Sequence, residues 1–484
     1  MAAWTPRVIV VGLDGASWSF LEPWIREGEL PVIGSLVESG LWGDLESTLP
    51  PVTFPAWHSL FTGLNPGRFG VFEFAQLDRG ARSIRINSPR DMRGEAVWNL
   101  AGRYGLRSVV INVPTARVEE VNGAIVGGPF TPVRRLVYPP GYKLLLRVVG
   151  YENYPVELTK VFLQHSRDPR GVLEVVKRTI DSRFKLARLL AGKVKPHLLT
   201  LVLFLTDSIQ HFYWGSELVL DMWRYIDSRL GELIEEWSSS TLILCSDHGF
   251  AGVDRAFNLP KLLEELGLLK LKRRVSSLKL KLLRTGGLVR AARMLHLDRP
   301  VLRLLGAERL NRVLSAFSGG GRVGVKGLES LVDWGESSCI SIRNTIYVLD
   351  RRAVDLSELK GELLGLRDDR GERVVEAVYE KSEVYRGPYL EDAPDLVVLP
   401  REGFTVQDNP LASEVVGGLG EGSWKADHTI RGLLLIKGEG VEGRGGLRVS
   451  IYSVAPTVME LLGIPVPENL DGEPLATRSL SHAH

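Results

Sequence analysis

Residues 241–249 read TLILCSDHG, and the fold turns on how this stretch is taken. The unbroken apolar run Leu242-Ile243-Leu244-Cys245 has no polar face and is too short for a helix, so it reads as a strand buried on both sides. Such strands belong to parallel sheets covered by helices, and those sheets bind ligands beyond the carboxyl ends of their strands. Here that end carries Asp247 and His248, followed by a glycine turn.

Working outward, five similar runs appear: RVIVVGLDG (7–15), LRSVVINVP (106–114), LLTLVLFLTD (198–207), PDLVVLP (394–400) and RGLLLIKG (431–438). Helical periodicity separates them, most clearly over 218–237 and 453–462. The expectation is an α/β fold: a large doubly wound, mostly parallel sheet with helices on both faces. From Leu266 to about Lys326 the pattern changes to a Leu- and Arg-rich stretch that is poor in acids. The domain expectation is therefore a catalytic core over 1–260, a basic helical insertion over 261–330, and the rest of the core over 331–484. The insertion reads either as helices packing their leucines on the body, or as a surface for anionic lipid, nucleic acid or polyphosphate.

Composition narrows the function classes. The chain has 484 residues, 44% of them hydrophobic and 24% charged, with a net charge of +2. A balance this even argues against nucleic acid as the main partner. Two cysteines make no disulfide framework and fit a reducing compartment. No apolar run approaches the ~20 residues needed to span a bilayer, so a soluble cytoplasmic protein with no transmembrane segment is expected. Scarce Cys, Met and Gln beside abundant Arg, Glu and Lys hint at a thermophilic source. Oligomeric state is not legible.

Three of the apolar runs end in a metal-ligand type: Asp14, Asp207, and the pair Asp247-His248. A single strand-end Asp is usually a helix cap. The combination says more. Asp207 and His211 are four apart and share a face of a helix opening at Asp207. His428, in KADHTIRG, precedes the last apolar run. Carboxylates and imidazoles without thiolates suit zinc or manganese, and six such ligands suffice for two ions. Thr53, in LPPVTFPAWHS (49–59), reads as a helix N-cap with Pro55 in the first turn and Gly63 at the end. A positive helix end and a divalent cation together would favour an ionised hydroxyl there.

The motifs VIVVGLDG, PPVTFPAW…TGLNPGRFGV, TDSIQHFYW, SDHGF, KADHTIRG and IYSVAPTVMELLGIPVPENLDGEPL occur in order across nearly the whole chain. Together they resemble the alkaline phosphatase superfamily, in its type I phosphodiesterase/nucleotide pyrophosphatase branch, and within it a group of predicted phosphohydrolases or phosphomutases. The resemblance implies two divalent metal ions, zinc first and manganese as the alternative. Asp207, His211 and His428 would hold one; Asp14, Asp247 and His248 would hold the other, with Thr53 on it as nucleophile. It also implies attack by Thr53 on the phosphorus of a small phosphoric ester, a nucleotide among the candidates, to give a phospho-threonine that water hydrolyses from the opposite side.

The chain departs from nucleotide pyrophosphatases in the stretch FGVFEF: Phe69 stands in place of a histidine, and Glu73-Phe74 where their phosphate-contacting asparagine would be sought. It lacks the nucleophile pattern of sulfatases, having Thr53, Pro55 and Trp57 instead. Two alternatives remain beside a phosphodiesterase. One is a phosphomutase or head-group transferase using the same site. The other, of a different class, is a membrane- or polyanion-binding protein working through 266–326.

Overall fold

The computed structural model describes residues 4–155, 158, 169–272, 325–420 and 424–475. Most of the basic stretch read over 266–326, and with it most of the helical insertion expected over 261–330, lies outside the described residues. The chain packs as two compact units. One is built from Met1–Phe69, Met92–Ala251 and His428–His484, the other from Gly70–Asp91 and Gly252–Asp427.

The first unit holds a nine-stranded sheet. Its strands are β1 (Val8–Leu13), β2 (Leu41–Glu46), β3 (Ser108–Ile111), β4 (Gly123–Val126), β5 (Val137–Tyr138), β6 (Leu198–Leu203), β7 (Thr241–Cys245), β8 (Arg431–Lys437) and β9 (Arg444–Ser450), in the order β9-β2-β8-β7-β1-β6-β3-β4-β5. From β7 to β4 every pairing is parallel. β8, expected as one more parallel strand, runs antiparallel to both β7 and β2. Apolar length reports burial on two faces and carries no information on direction, which is why sequence left this strand's sense open.

The strand β1 lies wholly buried, and its side chains alternate between two cores. Ile9, Val11 and Leu13 point into one, Val8 and Val10 into the other. Five helices matter for the site: α1 (Thr53–Thr62), α2 (Pro169–Val194), α3 (Leu205–Tyr213), α4 (Glu217–Glu236) and α5 (Val454–Leu462). Apolar residues of α2 and α4 fill the first core; those of α1 and α5 fill the second. The doubly wound expectation therefore holds. The register sets Gly12 opposite both Val202 and Cys245, so the carboxyl ends of β6, β1 and β7 are level.

The second unit contains a four-stranded antiparallel sheet in the order Cys339–Ile342, Thr345–Val348, Leu396–Pro400, Val375–Glu380. The run at 394–400, expected in the large parallel sheet, falls here instead, because its apolar residues serve this unit's own core.

Glu73 also lies in this unit, almost fully buried near Arg343 and Asp408. Its Oε1 accepts from the Phe74 backbone N–H at 2.8 Å, and Asp408 accepts from the Arg343 N–H at 2.8 Å. Burial pushes the Glu73 carboxyl up to about 7 against the pull of Arg343, and pushes Asp408 up to about 6. Carboxyls whose folded values are raised stabilise fully below their unfolded values, near 4.5 and 3.8, and lose that contribution as pH rises through the folded ones. The melting temperature should therefore fall between pH 5 and 8. The slope should flatten in Glu73→Gln, which is neutral throughout.

Candidate active site

All seven residues singled out in the sequence belong to the first unit, gathered around the level strand ends. Asp14 follows β1 directly, and Asp247 and His248 follow β7 in the turn before Gly249; all three side chains are fully buried. Asp207 and His211 sit one turn apart on α3, and His428 lies in the short strand Ala426–Thr429 ahead of β8. Thr53 is the first helical residue of α1, with Val52 at the cap position one residue earlier than expected and Gly63 closing the helix in the left-handed region. All ten residues of α1 are buried, so the helix is fixed by packing around its whole circumference.

Two groups form. His248 Nε2 lies 3.1 Å from Asp247 Oδ2 and 3.7 Å from Asp14 Oδ1, with Thr53 Oγ1 at 3.3 Å. In the second group Asp207 Oδ1 lies 3.2 Å from His211 Nε2 and 3.0 Å from His428 Nε2, and the two imidazole nitrogens are 3.1 Å apart. The groups adjoin: the His248 and His428 rings stack with centroids 3.7 Å apart.

The tautomers follow from the outer hydrogen bonds. His428 Nδ1 faces the Pro51 carbonyl at 2.9 Å and His248 Nδ1 faces that of Gly249 at 3.1 Å, so each Nδ1 carries the proton and donates it. Each Nε2 then faces the carboxylate oxygens of its group. Convergence of imidazole nitrogens and carboxylate oxygens at this spacing suits a cation.

The carboxylates give the same result. Asp14 and Asp247 are buried side by side, and one oxygen of each, Asp14 Oδ1 and Asp247 Oδ2, has no hydrogen-bond donor. Burial, then the charges of Asp247 and Asp207, hold the Asp14 carboxyl well above the ordinary range. Asp207 behaves oppositely: burial disfavours its charge, but His211 and His428 outweigh that and hold it low. Two adjacent buried carboxylates, each with one oxygen lacking a donor, are costly unless a positive charge lies between them. The donor set of carboxylates and imidazoles fits divalent zinc or manganese.

Several supporting contacts lie beyond the sequence reading, which places Trp57, Phe54 and Asn112 near the pocket without giving them a role. Trp57 Nε1 donates to Asp14 Oδ2 at 2.8 Å, and the Gly15 N–H donates to Asp247 Oδ1 at 3.2 Å. Thr206 donates to the Asp14 carbonyl and Ser47 to that of Asp247, both at 2.6 Å. Trp57 stands four residues after Thr53, one helical turn on, and that spacing was the available signal. Its indole lies against Gly12, where an added Cβ would come within 2.4 Å of the ring. Asn112, by contrast, is structural: it donates to the Val202 carbonyl and accepts from Tyr151. Trp57→Phe keeps an aromatic ring, though a smaller one in a fully buried site, and removes the bond to Asp14. It should lower activity or metal affinity about 10- to 100-fold, as measured by turnover and metal titration, with a cavity cost to stability of about 1–3 kcal/mol.

The family model for type I phosphodiesterase/nucleotide pyrophosphatase matches residues 8–425. The chain belongs to that family. As a type I phosphodiesterase/nucleotide pyrophosphatase family member of the alkaline phosphatase superfamily, it is a phosphohydrolase. Among solved structures it resembles phosphonoacetate hydrolase from Sinorhizobium meliloti 1021 in complex with phosphonoformate, with a TM-score of 0.58, 15% identity and 96% of each chain covered. It also resembles murine ectonucleotide pyrophosphatase/phosphodiesterase 5, with a TM-score of 0.52, 14% identity, and 96% and 97% of the two chains covered. These likenesses concern the fold. No curated protein matches the chain. Among the described residues no helix is long and apolar enough to cross a membrane.

Proposed function

We propose that this family member hydrolyses phosphodiesters with Thr53 as nucleophile and two divalent cations, zinc or manganese, at the strand ends. The observation that carries the reading is the position of Thr53 Oγ1, 3.3 Å from His248 Nε2, which itself lies 3.7 Å from Asp14 Oδ1 and 3.1 Å from Asp247 Oδ2, the two carboxylate oxygens without a donor. Asp14, Asp247 and His248 would hold one ion, and Asp207, His211 and His428 the other. When bound, the ions supply positive charge that favours the ionised Thr53 hydroxyl and offsets charge on the phosphoryl oxygens.

The chain's own residues do the rest. Thr53 Oγ1, its proton released to solvent water, attacks phosphorus in line, forming the Oγ1–P bond as the bond to the leaving alcohol breaks; the departing oxygen takes up a proton from solvent in turn. Water then attacks the phospho-threonine from the opposite side, the Oγ1–P bond breaks, and the threonine hydroxyl regains its proton. The positive end of α1 favours negative charge at its first residue. Phe54, the next residue, packs edge-on against Phe130 at 4.8 Å and so fixes the start of the helix. Support also comes from the murine relative: a threonine variant of it to alanine, in complex with AMP, is described as inactive. The two cysteines, both free and buried, fit a cytoplasmic setting.

The reading is tested by assaying chromogenic phosphodiesters and monoesters with zinc and manganese supplied separately. Diester turnover that needs added metal is expected. Turnover unaffected by complete metal removal, or activity confined to monoesters, would overturn it.

A further inference from the structure

We propose that residues 133–149 of the first unit form a docking face for anionic lipid surfaces. This contact is separate from the strand-end site and does not depend on how that site works.

The exposed apolar surface of the chain is unevenly distributed. Among the described residues six large hydrophobic side chains are strongly exposed, and three of them, Val133, Leu144 and Val148, fall within sixteen positions of one another. Leu144 is 66% exposed and Val148 71%, so the greater part of each residue lies in water. Both stand on the short helix Lys143–Val148, four residues apart and so on one face. The opposite face is anchored: Leu146 is buried in the first core, with Tyr142, Leu145 and Val149 packed against it. The helix is therefore held firmly with its aliphatic pair directed outward.

Charge accompanies these side chains. Val133–Gly150 contains Arg134, Arg135, Lys143 and Arg147 and no Asp or Glu. All four basic residues are exposed, and none pairs with a carboxylate among the described residues. Lys143 and Arg147 are also four apart, and helical geometry puts them along one flank of the aliphatic pair. Glu120, the acid that reaches this stretch, is bonded to the Tyr138 hydroxyl.

Unpaired cations alone would suit any polyanion. Outward aliphatic side chains gain nothing against a nucleic acid backbone, whereas at a bilayer they enter the acyl boundary while the cations meet anionic headgroups. The combination selects lipid. Each cation near such a surface contributes roughly fivefold in partitioning, weakening with salt, and the two aliphatic side chains together about tenfold or more.

The test is flotation of the full-length protein with phosphatidylglycerol vesicles, against pure phosphatidylcholine vesicles, at low and physiological salt. Wild type should float with the anionic vesicles only. Leu144→Gln/Val148→Gln, which keeps every charge, should lose about tenfold or more of that binding. Arg134→Gln/Arg135→Gln/Lys143→Gln/Arg147→Gln should lose nearly all of it. Unchanged melting temperature and unchanged turnover of a soluble phosphodiester would show both variants folded; should either melt early, the single changes Leu144→Gln and Arg147→Gln provide the comparison. The proposal is overturned by absent binding at low salt, by full binding of both variants, or by an aliphatic variant that binds like wild type while RNA competes the vesicles away.

Discussion

Thr53→Ala should reduce turnover of a chromogenic phosphodiester by at least about 10³-fold while leaving both cations bound. The side chain is buried at the start of α1, and its hydroxyl lies 3.3 Å from His248 Nε2. Removing it leaves the six carboxylate and imidazole ligands untouched, and the small loss of volume in a helix buried on all sides should cost no more than about 1–2 kcal/mol. Steady-state rates beside metal analysis of the same preparation check this. Substantial activity in the variant would remove Thr53 from the chemistry.

Metal removal should have the second largest effect, large in wild type and small in Asp14→Asn. Stripped of cations, wild type should lose all activity and melt at a markedly lower temperature, since Asp14 and Asp247 are left buried against one another. Restoring cations at about 1,000 times their dissociation constant should return about 4 kcal/mol for each site filled. In Asp14→Asn the amide oxygen still accepts from Trp57, and the amide N–H can donate to the donor-free Asp247 Oδ2. The stripped variant should therefore be more stable than stripped wild type by about 1–3 kcal/mol, while being nearly inactive with metal and gaining little stability from it. Calorimetry with and without chelator separates the cases. A stripped Asp14→Asn that melts below stripped wild type would contradict the cation reading of this pair.

Much of this site was legible because strand ends are marked twice in the sequence. An apolar run stops, and a carboxylate or imidazole appears at once, as at Leu13-Asp14 and Cys245-Ser246-Asp247-His248. Sheet register then brings those ends level, so residues more than two hundred positions apart become neighbours without any local signal of distance. What sequence could not carry was partner choice. The runs at 394–400 and 431–438 look as strand-like as the others, yet one pairs antiparallel beside β7 and the other belongs to a different sheet. Trp57 was similarly ambiguous: a tryptophan in a buried helix is usually packing, and only its indole N–H on Asp14 links it to the site. The face at 133–149 escaped for another reason. Its apolar residues look like core until folding shows which of them are left outside.

The central claim is that a bond forms between Thr53 and phosphorus. Stereochemistry tests it most directly, through hydrolysis of a phosphorus-chiral thiophosphate diester in isotopically labelled water followed by assignment of the product's configuration. Two successive in-line displacements, first by Thr53 Oγ1 and then by water, predict net retention. Inversion would mean that water attacks the substrate in a single step, and would contradict the phospho-threonine account.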